Sequence, residues 1–380
     1  MSGPAAGTTS PALADGAAAL LTIDLTALRH NYRTYCKLAT PAAVAGVVKA
    51  DSYGLGAARV VPVLLAEGCR TFFVAQLSEA LALRPLIPRD RALYVLNGLQ
   101  PGSEALAREA GIRPVLNSLP QAAAWAAAAP GNPAALQLDS GMSRFGLSEA
   151  ELGALVGDSA LMARLDLALV MSHLACADEM QHPANKAQLA AFNALRARLP
   201  ALPASLANSA GVFHGAAYHF DLVRPGIGLY GAHPLAGHHN EAADSPLQPV
   251  VRLAARIVQL RSIPAGVSVG YGHTHKAEGP MRLGVIGVGY ADGWLRSLSG
   301  SGAAWFDGVR LPICGRVSMD SSILDLSALP EGALAPGDLV ELIGPQHPLE
   351  QVAAEAGTIA YELLTGLGPR YERRWIGSAV

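Results

Sequence analysis

No CxxC pair occurs in the sequence: Cys36, Cys69, Cys176 and Cys314 are scattered along 380 residues. That excludes a paired-cysteine zinc or redox site and predicts free thiols in a reducing compartment. There is no basic stripe either. With 15% charged residues and a formal net charge of -2, nucleic acid is a poor main partner, because neutralising phosphates takes clustered Lys and Arg. A small molecule is the better expectation. No basic residue precedes Arg29, so the small, polar start SGPAAGTTSPALADG lacks the charged beginning of a secretory signal. Residues 1–16 read as a disordered tail. The apolar segment AAALLTIDL, residues 17–25, is too short to span a bilayer and carries Asp24. These absences predict a cytoplasmic protein with no membrane partner.

What the chain has in quantity is apolar residues, 51% of the total, enough for a large domain and a smaller one. From residue 45 onward eight short apolar runs recur: AGVVKA, TFFVAQ, ALYVLNG, IRPVLNS, AALQLDSG, LALVMSHL, PASLANSA and FDLVRPG. Between them lie Ala- and Leu-rich segments such as AARVVPVLLAEG, LPQAAAWAAAA and NKAQLAAFNALRARL, each able to form a helix with one face on a sheet. Eight such units predict an α/β fold, a closed (β/α)8 TIM-like barrel over residues 17–237. An open doubly wound sheet, whose six-stranded order would leave some of these runs unplaced, is the second reading. Nearly every run stops at a polar residue, namely Lys49, Gln76, Asn97, Asn117, Asp139, His173, Asn208 and Arg224. In a barrel all of these fall on the carboxyl-end face, where active sites are built. After about residue 235 the pattern changes to short β-like runs separated by Gly and Pro turns, which predicts a C-terminal β-rich domain over 238–380. His238 and His239 are adjacent in the linker, a poor chelate, and no metal site is expected.

Lys49, in VVKADSYGLG, sits where an apolar strand meets a loop. A lysine desolvated at such a mouth has its pKa lowered and becomes a Schiff-base former, for which the common carbonyl partner is pyridoxal phosphate. That cofactor needs a phosphate cradle. LANSAGVF offers one at Asn208 and Ser209, and PGIGLYG a second, where Gly226 and Ile227 permit close approach. Gly-rich turns alone are weak signals and more often mark tight turns, but these end adjacent strands.

The chain resembles the alanine racemase family. VVKADSYGLG is similar to the family's cofactor-lysine signature, and LDSGMSRFG, SHLACADE, NSAG, VRPGIGLYG, VGYGHT, VGYADG, GRVSMD and TIAYELL match further family segments in order, from about residue 20 to the C-terminus. The resemblance implies a pyridoxal-phosphate-dependent barrel followed by a β-domain, interconverting L- and D-alanine and supplying D-alanine for peptidoglycan. Racemisation needs an acid/base group on each face of Cα. Lys49 would serve one face and, by similarity, Tyr271 the other, donated across the interface of a homodimer. His173 and Arg224 would form a relay with Tyr271, and Arg224 would also face the pyridine nitrogen and leave it unprotonated. Tyr53 and Tyr361 match cofactor-phosphate hydroxyls, Arg144 the arginine near the substrate carboxylate, and Tyr290 and Met319 the residues lining the substrate entrance or carboxylate site. Asp320 would orient the Met319 turn.

Two departures from the family pattern matter. Gln137 stands where many members carry a carbamylated lysine bonded to the carboxylate-binding arginine, and DSYGLG replaces the common NAYGHG, so that Leu55 removes a polar group. A racemase of another small amino acid such as serine remains an alternative, because a pocket that excludes bulk discriminates one extra group by only ~1–3 kcal/mol. A non-catalytic cofactor-binding protein on the same barrel, or a decarboxylase of this fold, is a third, although such carriers lack the β-domain and its tyrosine and neither a cysteine-centred acid motif nor a longer Gly run is present.

Overall fold

The structure, a computed structural model, describes residues 16–235 and 245–377. The expected tail before Gly16, the His238/His239 pair and the expected boundary at 237/238 lie outside the described residues. Among the described residues the chain divides into two compact units, one within Leu25–Gln248, the other combining residues 16–24 with Pro249–Ile376.

The Leu25–Gln248 unit is a curled parallel sheet whose seven strands follow in chain order: Gly46–Val47, Thr71–Val74, Ala92–Val95, Arg113–Leu116, Pro133–Gln137, Asp166–Met171 and Ala204–Ser205. An eighth strand, Leu222–Val223, pairs in parallel with Ala43–Val44, the stretch leading into the first strand. The Arg224 and Asp221 amides donate to Ala207 O and Ala204 O, and the Val47 amide to Pro225 O. The sheet therefore returns on itself, and the eight apolar runs of the sequence form a ring. Both faces of these strands are covered, so they read as unbroken apolar runs rather than alternating ones. Phe72, Phe73 and Val74 are successive and all fully buried, one set inward and the other under the helices. The helix Leu25–Ala39 supplies part of that outer cover by burying Leu25, Leu28, Tyr32, Tyr35 and Ala39, a spacing of three and four that puts all five on one face.

In the second unit the strand Val251–Ile263 is the spine. It pairs antiparallel with Leu339–Ile343, Met281–Ile286 and Ala19–Asp24, and Ala19–Asp24 pairs in parallel with Glu372–Ile376. The residues Ala19–Asp24 lie within the range expected for the barrel domain. Here they form a strand of the β-rich unit. Ala19, Leu20, Leu21 and Ile23 are all buried, an apolar run that needs a neighbour on each edge, and strand pairing between residues about 230 and 350 positions apart is invisible to local pattern.

Candidate active site

Lys49 lies at the carboxyl end of the first barrel strand, directly after Val48. The four residues that follow, Ala50, Asp51, Ser52 and Tyr53, all have positive φ, at 51, 53, 55 and 55°. This is a left-handed turn made of L-residues, an arrangement costing roughly 1–2 kcal/mol per residue. Several bonds hold it. The Gly54 amide donates to Ala50 O at 2.7 Å and the Gly56 amide to Asp51 O at 2.9 Å, while Asp51 Oδ1 accepts from the Ala57 amide at 2.7 Å and Glu79 Oε1 from the Ala50 amide at 2.5 Å. The half-buried Lys49 ammonium is pushed below its ordinary range first by burial and then by the charge of Arg144, against an opposing pull from Glu79. An amine so placed is more nucleophilic near neutrality than a solvated lysine.

The turn delivers Tyr53 into the barrel, where its ring lies 4.8 Å from that of Tyr230, and Tyr230 in turn donates its hydroxyl to Val47 O at 2.9 Å. A Cβ added to Gly226 would fall 2.2 Å from the Tyr53 hydroxyl, so only glycine lets the two meet. Ser209 Oγ accepts from the Gly226 amide at 2.8 Å and the Gly228 amide at 3.3 Å. A hydroxyl that accepts two bonds presents its own proton outward. Asn208 Oδ1 accepts from the Gly211 amide at 2.9 Å and so shapes the turn bearing Ser209. Asn208, Ser209, Gly226 and Ile227 thus follow the last two strands of the ring, which closes on the strand leading to Lys49 and Tyr53.

His173 and Arg224 also come together, with Arg224 Nη2 3.5 Å from His173 Nδ1. Burial, the dominant cause, and the charges of Arg224, Arg144 and Lys49 push His173 down to about 3. Burial takes Arg224 down to about 9, which leaves it charged at neutrality. A charged guanidinium can only donate, so Nδ1 of a neutral His173 is the acceptor and its ring proton resides on Nε2. Arg224 is fixed by small groups the sequence reading missed. It donates to Ser205 Oγ and, at 2.6 Å, to Ser172 O; Ser205 Oγ donates to Leu222 O at 2.5 Å, which turns its lone pairs toward the arginine. Gln188 braces His173 from a helix, donating to His173 O at 3.0 Å and accepting from the Ala175 amide at 2.8 Å. The one signal for Ser172 and Ser205 was a hydroxyl inside an otherwise apolar run.

Arg144 rides on a loop built around Asp139, whose Oδ1 accepts from the Gly141, Met142 and Ser143 amides at 2.9, 3.0 and 3.1 Å. Gln137 Nε2 donates to Phe145 O at 3.3 Å, and the Arg144 guanidinium lies 5.8 Å from the centre of the Phe145 ring. Gln137 therefore acts on the backbone beside Arg144. The same loop is tied to the arginine below it: Ser172 Oγ donates to Leu138 O at 2.7 Å, so Ser140 must donate to Ser172 Oγ, also at 2.7 Å. The polar strand ends are accordingly not all pocket lining. Asp139 scaffolds a loop, and Asn117 bonds Leu96 O and Val115 O.

Four expected site residues belong to the β-rich unit, and all are exposed: Tyr271 at 71%, Met319 at 53%, Tyr290 at 42% and Tyr361 at 41%. Tyr290 and Met319 are joined through their backbones, the Tyr290 amide donating to Ser318 O at 3.0 Å and the Ala291 amide to Met319 O at 2.9 Å. Arg370 clamps both turns, binding Asp292 through two nitrogens at 2.5 and 2.8 Å and Asp320 at 2.7 Å.

Residues 23–234 match the family model for the alanine racemase N-terminal domain, and residues 250–375 that for the alanine racemase C-terminal domain. The chain is 54% identical over 365 residues to a catabolic alanine racemase of Mesorhizobium japonicum, covering 95% of this chain and 94% of that one. It is 54% identical over 372 residues to an alanine racemase of Brucella canis, with the same coverage. Its fold matches the crystal structure of alanine racemase from Bartonella henselae with covalently bound pyridoxal phosphate, at a TM-score of 0.90 and 42% identity over 95% of this chain and all of that one.

Proposed function

The chain belongs to the alanine racemase family, and from that premise we propose that it interconverts L- and D-alanine with pyridoxal phosphate, Lys49 and Tyr271 acting on opposite faces of Cα. The observation that carries this reading is the meeting, at the carboxyl ends of neighbouring barrel strands, of a desolvated lysine with the Ser209, Gly226 and Tyr53 cluster.

The residues present fit the cofactor. Its aldehyde needs a nucleophilic amine, and burial disfavours the charged form of Lys49. Its phosphate needs donors, and Ser209 Oγ is polarised outward by two amides, one of them that of Gly226, against which the Tyr53 hydroxyl packs; Asn208 shapes that turn, and by resemblance the Ile227 amide and the Tyr361 hydroxyl would be further donors. Its ring nitrogen needs a partner, and Arg224 is a donor locked in place by Ser205 and Ser172. When bound, pyridoxal phosphate draws electron density from Cα as the proton leaves. Arg224, which stays protonated, gives the ring nitrogen no proton, which limits that withdrawal and suppresses transamination.

The chain's own residues do the rest. Arg144 holds the substrate carboxylate, on a loop that Asp139 and Gln137 keep in shape. Lys49 takes or returns the α-proton on one face and Tyr271 on the other, with the His173–Arg224 pair proposed as the relay to the tyrosine. Tyr290 and Met319 narrow the entrance and favour a small side chain. Tyr271 is largely exposed in a single chain, whereas such a base works best away from water, and this supports a homodimer in which each site takes its tyrosine from the partner copy. Because the enantiomers have equal free energy, flux is set by what consumes the product. The role proposed is supply of D-alanine for peptidoglycan in the cytoplasm.

Incubation with L-alanine or D-alanine separately in deuterium oxide tests the reading. Racemisation with α-deuterium in the product is expected from either enantiomer. Retained, borohydride-reducible cofactor without any α-exchange would instead identify a carrier, and preferential racemisation of serine would move the substrate. The cradle can be probed on its own by Gly226→Ala. The new methyl would collide with the Tyr53 hydroxyl and remove a bond to a charged group, weakening cofactor binding by ~10–100-fold in equilibrium dialysis; native retention would place the phosphate elsewhere.

A further inference from the structure

The left-handed turn after Lys49 needs a reason to persist, since four consecutive L-residues at positive φ would relax unless the surroundings over-determined them. The bonds within the turn, from Gly54 to Ala50 O and from Gly56 to Asp51 O, close it on itself but do not fix its first amide. That amide, on Ala50, is the peptide group joined directly to Lys49, and it donates to Glu79 Oε1 at 2.5 Å. The other oxygen of the same carboxylate is engaged differently: Oε2 accepts from the Ala75 and Gln76 amides, both at 2.8 Å, where it caps the helix Leu77–Leu83 at the end of the second strand, Thr71–Val74.

We infer that Glu79 is a positioning residue for Lys49, one carboxylate oxygen anchored on the second strand's helix and the other holding the first peptide of the left-handed turn, so that the lysine is aimed from the neighbouring strand. A carboxylate is suited to this. Three amide donors converge on it, and hydrogen bonds to an ionised acceptor are about twice as strong as neutral ones. Glu79 also lies close enough to Lys49 for its charge to favour the ammonium, opposing burial and Arg144. The residue thus acts on the lysine's direction and on its protonation together. This inference rests on the role proposed for Lys49.

The bland reading is a capping box alone, since Glu or Gln at this helix position commonly bonds the cap amide. Glu79→Gln separates the two. Its single carbonyl oxygen can keep the paired Ala75 and Gln76 amides, which leaves the carboxamide nitrogen facing the Ala50 amide, donor against donor. In the holoenzyme, hydrogen exchange over residues 50–53 should accelerate ~10-fold or more while the helix Leu77–Leu83 keeps its protection. Alanine turnover should fall ~10–100-fold in kcat with KM nearly unchanged. The rising acid limb of the rate profile should move to lower pH, because removing a negative neighbour lowers the pKa of the lysine. Glu79→Ala should show the same effects with loss of helix protection added. Native exchange at 50–53, or a lowered melting temperature with an unmoved pH profile and native kcat in Glu79→Gln, would reduce Glu79 to a cap. The exchange readout does not depend on catalysis, so it stands apart from a failure of the racemase reading itself, which would show as an inactive native enzyme.

Discussion

Replacing Lys49 with alanine is expected to abolish both racemisation and the borohydride-reducible cofactor chromophore. Two losses combine in this variant. One is the covalent hold on the cofactor, which the other donors around Ser209 and Gly226 cannot replace because none of them is an amine. The other is the acid/base group on one face of Cα, worth ~10²–10⁴-fold by itself. The reference is a lysine already prepared for the task by burial and by Arg144. Fold stability should change little, because the strain of the adjoining turn is held by backbone bonds and by Asp51 and Glu79 rather than by the lysine side chain. The absorbance of the purified variant and borohydride trapping read the outcome. A surviving covalent adduct would assign the anchor to another residue.

Tyr271→Phe is expected to keep the cofactor and lose racemisation by ~10²–10⁴-fold. Because the equilibrium constant for interconverting enantiomers is one, kcat/KM must fall equally in both directions, and that loss alone says nothing about how many bases there are. The discriminating measurement is α-deuterium uptake into the recovered starting enantiomer. With Lys49 intact, exchange should continue from the enantiomer whose proton faces the lysine and fail from the other. Equal loss of exchange from both would refute the two-base mechanism. The partner-donated tyrosine can be tested with the same materials. Reassociated mixtures of Lys49→Ala and Tyr271→Phe subunits should recover roughly a quarter of native activity, since half the dimers are mixed and each mixed dimer has one intact site. No recovery would place Lys49 and Tyr271 of each site on one chain.

Legibility in the sequence followed the range of the interactions. Lys49 could be found because a charged amine closing an apolar run is locally anomalous, and Gly226 because a glycine-rich turn at a strand end is a local pattern. Ser172, Ser205 and Gln188 could not, because a serine in a strand or a glutamine in a helix is unremarkable until the fold brings an arginine or a histidine backbone against it. Gln137 was visible as a departure from the family pattern, but only the structure shows its amide reaching the backbone beside Arg144.

By itself the sequence determined the repeating strand–helix units, their polar carboxyl ends, the change to a β-rich second half and the family to which the chain belongs. All of these rest on short-range periodicity or on ordered motifs. Tertiary structure decided what depends on residues far apart in the chain: that Ala19–Asp24 joins the β-rich sheet between Val251–Ile263 and Glu372–Ile376, that Leu222–Val223 closes the ring on Ala43–Val44, and that Glu79 meets the peptide after Lys49 across 29 residues. An amide hydrogen bond is satisfied by any acceptor within about 3 Å, and which one arrives there is set by the packing of whole elements.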